Sequence, residues 1–181
     1  MSYKPLFYDQ GSLICSKRNK VFAVADDGTE NLICELPVTW LESLLLCSRL
    51  LSRLLRLEVY SSAIHCNMYF FSFRKKLYSY LKDSNELTCE INYAKGHGPL
   101  SFCCIDGLNG FDDTVYFGDY FGNSNCDPVS IYKRVQSGKW EQCYSFQRGL
   151  INHIHGLVED TTNNCIWILT GDYGTSFGIY R

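Results

Sequence analysis

A surplus of either charge is the first thing this sequence lacks. Seventeen basic residues against 19 acidic ones leave a net charge of -2, which gives no reason to expect nucleic acid or an anionic membrane as the main partner. No run of about 18 uncharged apolar residues occurs, so no membrane span is expected. The opening residues, Met1 to Pro5, lack the charged-then-apolar layout of a secretory signal, and a cytoplasmic location is the default expectation. Proline is scarce, with four residues. Cysteine is not scarce, but its ten residues run from Cys15 to Cys165 without a CxxC pair or metal-ligand spacing, so reduced, structural thiols are expected rather than a disulfide framework or a zinc site. A nucleophile elbow, a phosphate-cradling loop, a dinucleotide fingerprint and a zinc-protease helix are all missing. Gly107-Leu108-Asn109-Gly110 reads as a turn between strands.

What is present points to sheet. Aromatic residues make up 15% of the chain, with thirteen Tyr and eleven Phe, and short apolar runs alternate with Gly, Asn, Asp and Ser. The length of 181 residues is enough for a sizeable core and predicts one domain, 1–181.

The sequence also repeats itself. Val21-Phe22, Leu77-Tyr78, Ile131-Tyr132 and Ile179-Tyr180 are spaced by 56, 54 and 48 residues. The first three are followed by turn formers (Asp27-Gly28, Asp83-Ser84, Ser137-Gly138) and then by Leu32 to Cys34, Leu87 to Cys89 and Trp140 to Cys143. Each pair therefore opens a strand-turn-strand hairpin. Cys34, Cys89 and Cys143 fall at nearly one place in the repeat, as small buried residues of an outer strand would. Further apolar stretches, Leu100 to Ile105 and Ile154 to Val158, precede Val115 to Tyr120 and Trp167 to Tyr173, each of which runs into Gly-Asp-Tyr. Four strands in about fifty residues is the blade of a β-propeller. The fold class expected is all-β, a partial β-propeller of four-stranded antiparallel blades, about three to four in number. The last blade stops after three strands, which predicts a piece of a larger ring or a partner chain that completes it.

One stretch breaks the pattern. Residues 39–59 are rich in leucine and carry Arg49, Arg53 and Arg56 at i, i+4 and i+7, which predicts a helical insertion, a helix docked on the propeller with a solvated basic stripe, the less favoured alternative being a membrane-surface helix.

Candidate chemistry follows from topology. In an antiparallel meander the start of the innermost strand and the end of the second lie at one edge. Asn152, His153 and His155 open one innermost strand and Asp172 closes its neighbour, while His97 and Asp119 hold the equivalent places one blade earlier. His153 and His155, two residues apart, point the same way on an extended segment. His97, Asp119, His153, His155 and Asp172 are the candidate catalytic residues. They could bind a divalent metal, although no cofactor is required, or act as general acid and base for glycoside cleavage or elimination. The same residues could instead cap strand ends and turns. Tyr120, Phe121 and Tyr173 stand beside them and suit sugar rings. His65 is expected to be a satisfied edge histidine.

Three passages, NHIHGLVEDTTNNCIWILTGDYG, the hairpin from SIYKRVQSGKW and the Leu/Arg-rich insertion after LICELP, resemble the BNR-repeat, sialidase-like propellers that are described as glycosyl hydrolases. The resemblance implies carbohydrate as the ligand class and, if the chain is an enzyme, a glycosyl hydrolase-like activity. The family's Asp-box, which supports an outer hairpin turn, departs from its pattern here: Asp26-Asp27-Gly28 lacks the Trp, and Gln136 to Trp140 lacks the Asp. The alternatives are a non-catalytic scaffold for protein interaction and a truncated gene product without independent function.

Overall fold

A computed structural model of the chain describes residues 3–55, 57–171 and 177–181, with Arg49 and Arg53 described through their backbone alone. Among the described residues fifteen strands form four antiparallel meanders in chain order. The first is β1 (Lys4–Asp9), β2 (Ser12–Lys17), β3 (Lys20–Ala25) and β4 (Glu30–Glu35). The second is β5 (Ser62–His65), β6 (Met68–Phe73), β7 (Lys76–Leu81) and β8 (Glu86–Asn92). The third is β9 (Cys103–Cys104), β10 (Val115–Gly118), β11 (Val129–Gln136) and β12 (Lys139–Phe146). The fourth holds β13 (Ile154–Asp160), β14 (Cys165–Thr170) and β15 (Gly178–Tyr180). The innermost strands β1, β5, β9 and β13 touch in succession, so the sheets radiate as the blades of a partial propeller.

The four repeated pairs occupy equivalent places, at the third strand of each sheet. Val21, Leu77 and Ile131 are buried against the following sheet, whereas Tyr78 and Tyr132 turn back toward the preceding one. In the fourth sheet the same alternation leaves Ile179 69% exposed, while Tyr180 meets Phe146 of the third sheet edge-on at 5.3 Å. Period-2 alternation, carried over four units, explains this.

A β-bulge recurs beside the anchors. The ladder shifts between Val21/Phe22, Leu77/Tyr78 and Ile131/Tyr132, leaving Ile33, Glu90 and Cys143 as the extra residues. The three cysteines aligned by sequence are therefore not equivalent: Cys34 follows its bulge, Cys89 precedes its own and Cys143 is the bulged residue. Cys89 and Cys143 are exposed, contrary to the expectation of buried outer-strand thiols. All ten cysteines are free thiols. Adjacent Cys103 and Cys104 do point to opposite faces, one into the core between sheets three and four and the other toward sheet two.

The expected strand Leu100 to Ile105 is paired only over β9, and the connection before it turns through Gly96 and Gly98 at φ +68° and +112°. A Cβ at Gly98 would lie 2.8 Å from the Tyr93 ring. His65 is satisfied as expected, with Nε2 3.2 Å from the Ile105 carbonyl oxygen.

The insertion is two short helices, α1 (Trp40–Leu45) and α2 (Arg49–Leu54), rather than one. Thr39 and Glu42 form a capping box on α1, and Ser48 accepts a hydrogen bond from the Leu51 N–H at the start of α2. Leu46 and Leu57 are buried, while leucines dominate the exposed surface, so the solvent-facing side is not simply the polar stripe expected. The stripe itself, at Arg49, Arg53 and Arg56, lies outside the described side chains. Among the described residues no helix is long and apolar enough to cross a membrane.

Candidate functional site

The entry to β13, at Asn152, is held by the loop before β11. The buried Asn123 amide donates to the Asn152 carbonyl at 2.8 Å and to the Asp127 carbonyl at 2.9 Å, and the Cys126 thiol donates to Asn152 Oδ1 at 2.7 Å. The Ile154 N–H then donates to the Asp119 carbonyl at 3.0 Å, tying sheets three and four at the candidate edge. The β13–β14 register slips between Ile154 and Gly156, which makes His155 the extra residue of a bulge.

The result is a cluster of rings. His153 and His155 stack with centroids 5.0 Å apart, and Tyr120 meets them edge-on at 4.6 and 5.7 Å. His153 is buried. The His155 ring lies against Gly171, where a Cβ would come within 3.1 Å of the imidazole, so glycine leaves room for the ring there. Imidazoles held this way can donate, accept and relay protons.

Asp119 turns elsewhere. Its Oδ2 accepts from the Ser130 N–H at 3.0 Å, and its side chain lines a groove of about 520 Å³ between sheets two and three. Burial raises the Asp119 carboxyl above the ordinary carboxylate range, against the opposing pull of the Ser130 N–H and Lys95. Tyr93, Phe121, Tyr132 and Trp140 line the same groove. Burial also raises the Tyr93 and Tyr132 phenols. Lys95 Nζ lies 5.0 Å from the Phe121 ring centroid.

The five residues chosen from sequence thus divide. His153 and His155 stand together, Asp119 lines the neighbouring groove, and His97 is half-buried in the connection between β8 and β9. Asp172 and Tyr173 lie outside the described residues. The assumed equivalence of Gly118 and Gly171 does not hold. Gly118 pairs with Ile131 and Leu169 with Ile179, so Asp119 corresponds to Thr170. A two-residue offset was hidden by the repeated triplet. Among the described residues no three His, Cys, Asp or Glu gather into a metal-holding group.

Glu90 escaped the sequence reading. Its side chain is completely buried, yet it meets Arg134 at 2.9 Å, the Gly138 N–H at 2.8 Å, the Trp140 indole N–H at 3.1 Å and the Ser79 hydroxyl at 2.6 Å. Burial pushes its pKa up, but these donors outweigh it and the carboxyl lies below its ordinary value. The third hairpin turn, which lacks its own Asp, takes a carboxylate from the preceding sheet instead. Its signal in the sequence was a Glu between Cys89 and Ile91 inside β8.

No family model matches the sequence and no curated protein matches it. Solved structures do resemble it. The extracellular domain of a putative hybrid two-component system from B. thetaiotaomicron is similar at a TM-score of 0.61 and 17% identity, over 99% of this chain and 22% of that one. A catalytically inactive His-to-Ala variant of virginiamycin B lyase from Staphylococcus aureus, with quinupristin, is similar at 0.54 and 13% identity, over 98% of this chain and 54% of that one. The chain therefore spans between about a fifth and about half of these neighbours' lengths. The likeness shows the propeller-type fold.

Proposed function

We propose that this chain is a carbohydrate-binding propeller array whose ligand lies in the groove between sheets two and three, beside the His153–His155 cluster. The observation that carries this reading is the lining of that groove: Tyr93, Phe121, Tyr132 and Trp140 with Asp119 among them. Aromatic faces pack against the C–H faces of sugar rings, while a carboxyl and phenol hydroxyls take the sugar hydroxyls. The resemblance to sialidase-like propellers points to the same ligand class. Binding is favoured over hydrolysis because glycoside cleavage uses a pair of carboxyls across the scissile bond. Glu90, the other acid lining the groove, is engaged by Arg134, Ser79, Gly138 and Trp140.

Titration of the full chain with a panel of neutral and acidic oligosaccharides, followed by tryptophan fluorescence, tests the reading. Saturable binding is expected, weakened about tenfold, the equivalent of about 1.4 kcal/mol, in Phe121→Ala and in Asp119→Asn. Absence of binding to every sugar, or unchanged affinity in both variants, would sink it and favour the protein-interaction scaffold.

A second reading has one observation of its own. The stacked His153 and His155, with Tyr120 at their edges, have the donor and acceptor capacity for proton abstraction and return in an elimination. The lyase neighbour loses activity when a histidine is replaced by alanine. Turnover of a cyclic ester or uronic-acid substrate that disappears in His153→Ala and His155→Ala, with folding intact, would favour this reading over binding alone.

A further inference from the structure

Among the described residues, seven of the eighteen exposed large hydrophobic side chains fall within residues 40–55. Trp40 is 72% exposed, Leu50 77% and Leu54 74%, and Leu41, Leu44, Leu51 and Leu55 accompany them. An apolar surface this concentrated marks an interaction site. It is presented on a seated element: the capping box fixes the start of α1, Arg74 pairs with Glu42, and Leu46 and Leu57 are buried.

Charge indicates what covers it. From Ser43 to Leu57 the sequence holds Arg49, Arg53 and Arg56 and no Asp or Glu. Of the two acids that bound this stretch, Glu42 is already paired with Arg74, and Glu58 leaves three positive charges against one negative. A second copy of the same surface would bring like charges together across a two-fold axis, which disfavours self-association. An anionic bilayer suits both features, since its phosphates attract arginine while its acyl region accepts leucine and its interface accepts tryptophan. The near-zero net charge of the whole chain conceals this local excess.

We propose that the helical insertion is a membrane-surface anchor that seats the array on anionic lipid through Trp40, Leu50, Leu54 and their apolar neighbours, aided by the charge of the three arginines. The inference rests on the insertion alone and is independent of the carbohydrate reading. The insertion joins the end of β4 to the start of β5. It therefore lies at the edge that also carries the connection leading to His153, and docking would turn that edge toward the bilayer.

Co-sedimentation of the full chain with vesicles tests it. Binding is expected to phosphatidylcholine vesicles containing phosphatidylserine and to be much weaker with phosphatidylcholine alone. Leu50→Ser/Leu54→Ser should lower partitioning by at least about tenfold. Each of Arg49→Gln and Arg53→Gln should lower it about fivefold at low salt, and less at high salt. Leu50 and Leu54 are exposed, so thermal unfolding of the double variant should match the parent. Tryptophan emission gives a second readout. Trp140 and Trp167 already donate to Glu90 and Asp160, so a blue shift on lipid binding should vanish in Trp40→Phe. The proposal is overturned if the anionic vesicles do not bind the chain, or if the double leucine variant binds as the parent does. It is equally overturned if the parent forms a lipid-independent dimer that the leucine variant abolishes.

Discussion

The interface between sheets two and three and the interface between sheets three and four solve one packing problem in two ways. Near the axis both are apolar. Phe70, Leu77, Val115 and Phe117 fill the first, and Cys103, Ile105, Ile154 and Leu157 fill the second. Toward the rim they part. Sheet two sends Glu90 into the third sheet's hairpin, where Arg134, Gly138 and Trp140 meet it. Sheet three offers Cys143, Tyr144 and Phe146, and the interface widens into a groove of about 470 Å³ shared with Ile166, Ile168 and Tyr180. Propeller sheets thus need the same apolar centre, while the rim can be latched by a charge network or left open, depending on one bulged position.

The largest test of that difference is Glu90→Ala. Removing one member of a buried ion pair leaves Arg134 unpaired, and a loss of about 3–5 kcal/mol is expected in urea unfolding. A change under about 1 kcal/mol would mean that the latch is decorative. Next comes Gly118→Ala at the other interface, where a Cβ would sit 2.4 Å from Ile154 Cγ2. Overpacking there should cost about 1–3 kcal/mol, and neutrality would show that sheets three and four slide apart freely.

Acidity separates the two carboxyls at the sheet two–three interface by sign. Glu90 lies below its ordinary value of 4.5, so its stabilisation is present above that pH and is lost as pH falls through its folded pKa. Asp119 lies above its ordinary 3.8, so its ionisation opposes folding at neutral pH, and the penalty fades as pH falls through the raised value. Asp119→Asn keeps an acceptor for the Ser130 N–H. It should therefore be at least as stable as the parent at pH 7, with the gain shrinking on acidification in pH-dependent unfolding. A variant less stable at pH 7 would reverse this assignment. The smallest effect is expected from Asn164→Ala, which removes two hydrogen bonds with the Asn109 backbone, at 2.9 and 3.0 Å. These join the exposed turns of sheets three and four, and their loss should cost about 1 kcal/mol in the same assay.

The architecture was legible because alternation survives in every unit: Val21, Leu77, Ile131 and Ile179 keep one orientation even where no sheet follows. Alignments of single residues failed where the ladder gains a residue. Cys34, Cys89 and Cys143 look equivalent only if the bulge is ignored, and Gly118 matches Gly171 only in letters. The stacked pair His153 and His155 could be anticipated from their spacing, but the turning of Asp119 toward Ser130 depends on a partner eleven residues away. Glu90 was out of reach for the same reason, since Arg134 is 44 residues distant. The exposed leucines were missed because a leucine-rich segment is ordinarily counted as core.

The spare residue in each outer hairpin separates specificity from architecture. Ile33 packs into the core of the first interface, Glu90 into the latch of the second and Cys143 along the open groove of the third. An oily, a charged and a sulfur-bearing group thus occupy one mechanical slot without disturbing the ladder on either side. Neighbouring sheets can therefore be joined tightly or loosely one junction at a time, much as interchangeable pegs set the fit of identical boards.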